Sequence, residues 1–132
     1  MNKESMEIEY HPNGIIETEW CFIQMSTGER KVVSRKTWYA NGLQKSEEYF
    51  KDGKQNGREV WWFENGQKSF ECNFLNGKEN GFWNRWWENG NLCEHRFYAD
   101  GKIEQSVRWD YGSQRKIEDS MAVRINFSSR SV

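Results

Sequence analysis

The sequence predicts an all-β protein, an elongated and twisted antiparallel meander of repeated β-hairpins forming one domain over residues 1–132. Three observations carry this. The glycines recur with a fixed period of 24, in the series Gly42, Gly66, Gly90 and the series Gly53, Gly77, Gly101. Each period holds an Asn-Gly dipeptide, and that dipeptide is flanked by short runs rich in aromatic and β-branched residues, the pattern of strands joined by a tight turn.

Written in register, residues 38–61 are WYANGLQKSEEYFKDGKQNGREVW, residues 62–85 are WFENGQKSFECNFLNGKENGFWNR and residues 86–109 are WWENGNLCEHRFYADGKIEQSVRW. Several columns barely change: Trp38, Trp62 and Trp86; Asn41, Asn65 and Asn89; Phe50, Phe74 and Tyr98; Lys54, Lys78 and Lys102. A fixed period of this size marks a repeat array. Residues 10–37 hold a degenerate N-terminal unit of 28 residues, opening on Tyr10-His11-Pro12-Asn13-Gly14. Residues 110–132 form a C-terminal cap, in which the alternation from Met121 to Phe127 suggests a last strand or a short helix. Atypical ends are what an array of stacked units needs.

The Asn-Gly pairs predict two-residue turns of type I′, and Asp52-Gly53, Asn76-Gly77 and Asp100-Gly101 supply the turns at the opposite margin. About ten strands result, and at roughly 4.8 Å per strand the sheet is on the order of 45 Å long. The turns also set the register. Trp61 falls opposite Phe70, Arg85 opposite Glu94, and His95 opposite Asn84. Where one unit has an aromatic pair the next has an ion pair, so both members of the contact change together.

The unit W-[YFW]-x-N-G-(x)7-[FY]-x-x-G-K, seen as WFENGQKSFECNFLNGKENG and WWENGNLCEHRFYADGK, resembles the MORN-variant repeat over residues 38 to about 112. The resemblance implies an elongated hairpin array with a binding role and no catalytic residues. Many bacterial members, the YwqK-like group, are antitoxin or immunity proteins, which implies a toxin or effector protein as partner. The chain departs from the pattern in its long first unit, in Gln105 standing where the other units have a second glycine, and in its eight tryptophans.

Net charge is silent about the partner. Lys plus Arg number 19 against 20 Asp plus Glu, so no strong field steers nucleic acid or an anionic membrane to the chain. No window reads as a membrane span or a secretory leader. Three cysteines, Cys21, Cys72 and Cys93, are too few and too far apart for a disulfide framework. They fit a reducing, cytoplasmic setting and small buried side chains.

Side-chain alternation then gives two faces. One carries Tyr39, Phe50, Trp61, Phe63, Phe70, Phe74, Trp83, Trp87, Leu92 and Tyr98, and is expected to form the core. The other carries Trp38, Trp62 and Trp86 in one column, with Val60, Phe82 and Phe97 nearby. Successive members of that column stand two strands apart, roughly 9.6 Å, giving a strip about 19 Å long. Trp38, Trp62 and Trp86, with Arg58 and His95 at the margin, are the candidate partner-binding residues, since Trp and Arg dominate binding hot spots. The alternative cover for the strip is the ends of the chain or a second copy in a homodimer. Stacking of single-stranded nucleic acid on the aromatics, or a membrane-peripheral scaffold, are further alternatives, and the balanced charge argues against both.

No motif for catalysis is present, and the glycines are turn glycines. Cys72, Cys93 and His95 lack a fourth ligand with metal-site spacing, so no metal or cofactor is expected. His11 and His95 read as structural, Glu64 and Glu88 as solvated turn residues, and Lys54, Lys78 and Lys102 as margin lysines that prevent sheet addition.

Overall fold

A computed structural model describes residues 2–112 and 116–121. The chain runs through β1 (Lys3–Tyr10), β2 (Ile16–Gln24), β3 (Arg30–Trp38), β4 (Gln44–Lys51), β5 (Lys54–Gln55), β6 (Gly57–Trp62), β7 (Lys68–Leu75), β8 (Lys78–Trp86), β9 (Leu92–Ala99), β10 (Lys102–Trp109) and β11 (Lys116–Met121). The strands pair antiparallel in chain order in a single open sheet, except that β6 pairs with β4 and the two-residue β5 pairs with β4 alone. The all-β meander is the observed fold. Within the expected cap, residues 110–132, Lys116–Met121 form the strand β11, and the rest of the alternating stretch after Met121 lies outside the described residues.

The type I′ geometry expected at the Asn-Gly turns is found instead at the opposite margin. At Asn65-Gly66 the Phe63 amide donates to the Gln67 carbonyl at 2.8 Å and the Gly66 amide to the Phe63 carbonyl at 2.9 Å, which closes a three-residue loop, Glu64 to Gly66. Only the glycine has positive φ there, +88°, so the expected type I′ turn is corrected to a type I turn followed by a left-handed glycine. The asparagine instead braces the loop through its side chain, whose Oδ1 accepts the Gln67 amide at 2.9 Å. Asp52, Asn76 and Asp100, each at φ 51° before a glycine near 80°, form the true type I′ turns.

A loop one residue longer than expected would displace every later pair, but a bulge cancels it. Trp62 faces Lys68 and Trp61 faces Phe70, so Ser69 is the extra residue. The same shift makes Lys45 and Cys93 extra in the flanking units, and the register beyond each bulge is the expected one, with Arg85 opposite Glu94 and Asn84 opposite His95. The first unit owes its length to the β2–β3 hairpin, whose nine-residue strands are joined by a three-residue loop closed from Met25 to Glu29.

Units are tied at both margins. Asn13, Asn41 and Asn65 each donate from Nδ2 to a carbonyl of the next loop, Ala40, Glu64 and Glu88, at 2.8 to 3.3 Å. Tyr39 Oη donates to the Trp62 carbonyl at 2.6 Å, and His11 Nε2 shares a 2.7 Å hydrogen bond with the Trp38 carbonyl. At the opposite margin the Gly77 amide donates to Gln55 and the Gly101 amide to Glu79. There the recurrent lysines lie flat: the stem of Lys54 would meet a Cβ at Gly77 at 3.5 Å, and that of Lys78 one at Gly101. They pack from unit to unit as well as carrying charge.

No second layer covers the sheet among the described residues, and neither face is a dry core. The buried apolar side chains are Val60, Cys72, Cys93, Tyr98 and Val107. Val60, expected on the outer face, is fully buried, whereas Trp61, Phe70 and Trp83 of the expected core face are half-buried. Burial comes from neighbouring side chains lying across one another on both faces, the unit of sheet stabilisation.

Candidate functional site

Direct cross-strand pairing defines the faces. Lys36, Glu47, Val60, Glu71, Asn84, His95 and Val107 stand in one transverse row, the front face. Thr37, Ser46, Trp61, Phe70, Arg85, Glu94 and Arg108 stand in the row behind it.

On the front face the structure joins most of the sequence-nominated residues through charges that the sequence reading passed over. Lys68 faces Trp62 across the β6–β7 pair, and its ammonium lies 5.8 Å from the Trp86 ring centroid. Glu71 holds that ammonium at 2.5 Å and reaches Arg58 at 3.9 Å. His95 stands in the same row as Glu71, two strands over, its Nδ1 2.6 Å from Asn84 Oδ1, and burial pulls its pKa below the usual imidazole range. Trp38 sits further along, opposite Gln44, whose amide reaches Glu47 at 3.5 Å. The three tryptophans are half-buried and Arg58 is exposed. Polar side chains therefore interrupt the tryptophan column.

Phe82 is the residue that sequence reasoning undervalued. It is 63% exposed and packs on Phe97 at 5.3 Å and on His95 at 5.6 Å. Its prominence follows from the irregularity between Cys72 and Phe74, across from which Gly81 takes φ +85°. A depression of about 310 Å³ beside it is lined by Arg58, Glu71, Asn84 and Phe82 among others. The signal in the sequence was the glycine just before an aromatic inside a strand, a mark of a bulge.

The back face carries a different chemistry in each unit. Thr37 and Ser46 share a hydroxyl hydrogen bond of 2.5 Å, Trp61 faces Phe70, and Arg85 reaches Glu94 at 3.3 Å. Glu94 is 3% exposed and also takes Arg96 Nε at 2.5 Å, with Arg108 at 3.9 Å. The Arg96 guanidinium lies 4.4 Å from the centroid of Trp83. Glu59 collects the Trp61 indole N–H at 2.8 Å, Gln55 at 3.1 Å and the Cys72 thiol at 3.7 Å. Burial, reinforced by Glu59, pushes the Cys72 thiol well up, so it keeps its proton. Cys72 lies on this face and His95 on the front, with β8 between their strands. The three cysteines are free.

No helix is long and apolar enough to cross a membrane among the described residues. A search of curated proteins finds no match to the chain. Residues 55–76, which run from the second residue of β5 through β6 and β7 to the first residue of the next turn, match the family model described as a MORN repeat variant, and a repeat of that kind points to a binding or scaffold role.

Proposed function

We propose that the chain is a non-catalytic binding protein that docks a partner protein on its front face, in the manner of an antitoxin or immunity protein. The observation that carries this is the arrangement Trp62, Lys68, Glu71, Arg58 and Trp86, in which half-buried tryptophan rings lie between charges that already hold one another. Such charges are prepaired, so a partner that covers them meets a surface with little left to reorganise. Aromatic and arginine side chains then supply the area from which hot spots are built. In the cytoplasm of a bacterium the partner would be a toxin or effector that the chain occludes.

The test is titration of the chain with the protein encoded by the gene next to its own. Wild type should bind and should restore growth to cells expressing that protein. Trp62→Ala and Phe82→Ala should each weaken binding by about 2 kcal/mol or more while melting close to wild type. No binding by the wild-type chain, or variants that bind as wild type does, would overturn the proposal.

A further inference from the structure

β1 forms one margin of the sheet. Among the described residues it pairs with β2 alone, and all eight of its residues are exposed. Its outward amides and carbonyls are a template for another strand. Met6 and Ile8 alternate on the front face, 61% and 38% exposed. Lys3 and Glu9, on the opposite face, hold no ion pair with the described residues.

From this margin we infer that the chain self-associates through β1, a second copy adding its own β1 antiparallel across a two-fold axis perpendicular to the sheet. Symmetry narrows the register sharply. Opposite residues in an antiparallel pair alternate between hydrogen-bonded and non-bonded pairs, so the axis must pass through one pair, and one residue must face its own copy. An axis at Glu7 opposes two carboxylates, and an axis at Ile8 sets Glu7 against Glu9 of the second copy. An axis at Ser5 pairs only Lys3 to Glu7, and it spends Lys3 on Glu7, which Arg30 already holds. An axis at Met6 pairs residues 3 to 9, all of β1 except Tyr10. Lys3 then meets Glu9 of the second copy twice over, Ser5 faces Glu7, Glu4 faces Ile8, and the two Met6 side chains touch. Like charges never stand opposite. The free charges of the margin are complementary to themselves in this register, which selects a second copy as the occupant. Front face continues into front face, so the paired molecule presents one sheet of twice the breadth.

Sedimentation of the full chain over a concentration series should show a reversible dimer. Glu9→Lys or Lys3→Glu, at exposed positions, should leave melting unchanged and raise the concentration for half-dimerisation roughly tenfold, as two attractive cross-strand pairs become repulsive. Lys3→Glu combined with Glu9→Lys should restore it. In a Cys21→Ser background, needed because Cys21 lies across from Met6 on β2, Met6→Cys should cross-link between copies on oxidation and Ser5→Cys should not. A chain that stays monomeric at its highest soluble concentration overturns the inference. So does a dimer that ignores the charge reversals or cross-links through Ser5→Cys instead of Met6→Cys.

Discussion

The hydroxyl of Tyr39 donates to the carbonyl of Trp62 at 2.6 Å, so a side chain in one hairpin loop is fastened to the strand end that opens the next loop. The next unit has Phe63 in that place and so lacks the hydroxyl. Tyr39→Phe should therefore keep the packing and lose one hydrogen bond, lowering stability by about 1 kcal/mol. Chemical denaturation of the pair measures it, and a variant as stable as wild type would show that water replaces the contact.

The two turn geometries separate under the same substitution. Asn76 sits at φ 51°, so Asn76→Gly should be neutral or slightly stabilising. Asn65 has no positive φ but makes two hydrogen bonds, accepting the Gln67 amide at Oδ1 and donating from Nδ2 to the Glu88 carbonyl, so Asn65→Gly should cost about 1 to 2 kcal/mol. Equal melting shifts for the two variants would contradict the assignment.

Glu94 gathers Arg85, Arg96 and Arg108, and Glu94→Phe alone should destabilise the sheet by about 1 to 3 kcal/mol, the arginines being partly exposed and screened. The preceding unit holds Trp61 opposite Phe70 at the same place. Arg85→Trp with Glu94→Phe imports that pair and should recover part of the loss. A double-mutant cycle reads the coupling, and strict additivity would mean that the two residues do not act as a pair.

Tyr49 donates to Glu47 at 2.5 Å, and this hydrogen bond, ahead of burial, pushes its pKa up to about 12. The unfolded chain ionises first as pH rises, near the ordinary phenol value of 10. Stability contributed by the neutral phenol is thus complete below pH 10 and declines from there through about 12. Denaturation across that window should show a slope that Tyr49→Phe reduces. Identical slopes would place the hydrogen bond outside the folding balance.

The period, the hairpins and the long-range register were legible because each is written redundantly, and the match of Arg85 to Glu94 fixes the same alignment as the glycines do. The turn type was not, since Asn-Gly serves both a two-residue turn and a three-residue loop, and the bulge at Ser69 hides the difference from every pair beyond it. The faces were half legible. Alternation placed Trp62 and Phe70 on opposite sides, but it could not show that one layer shares its burial between both, nor that Lys68 would lie between Trp62 and Trp86. Alternation put Phe82 on the right face, but it could not show that the irregularity across from Gly81 leaves the ring 63% exposed.

Three of the loop asparagines reach the same way: Asn13 toward Ala40, Asn41 toward Glu64, Asn65 toward Glu88. The array consequently has a direction, like a row of hooks and eyes, with acceptors offered at its leading end and donors at its trailing end. A 24-residue cassette spliced between units in the native sense would find an eye ahead and a hook behind. Each added unit would repeat the same pairing, so the array can be lengthened without leaving an unmatched loop inside it.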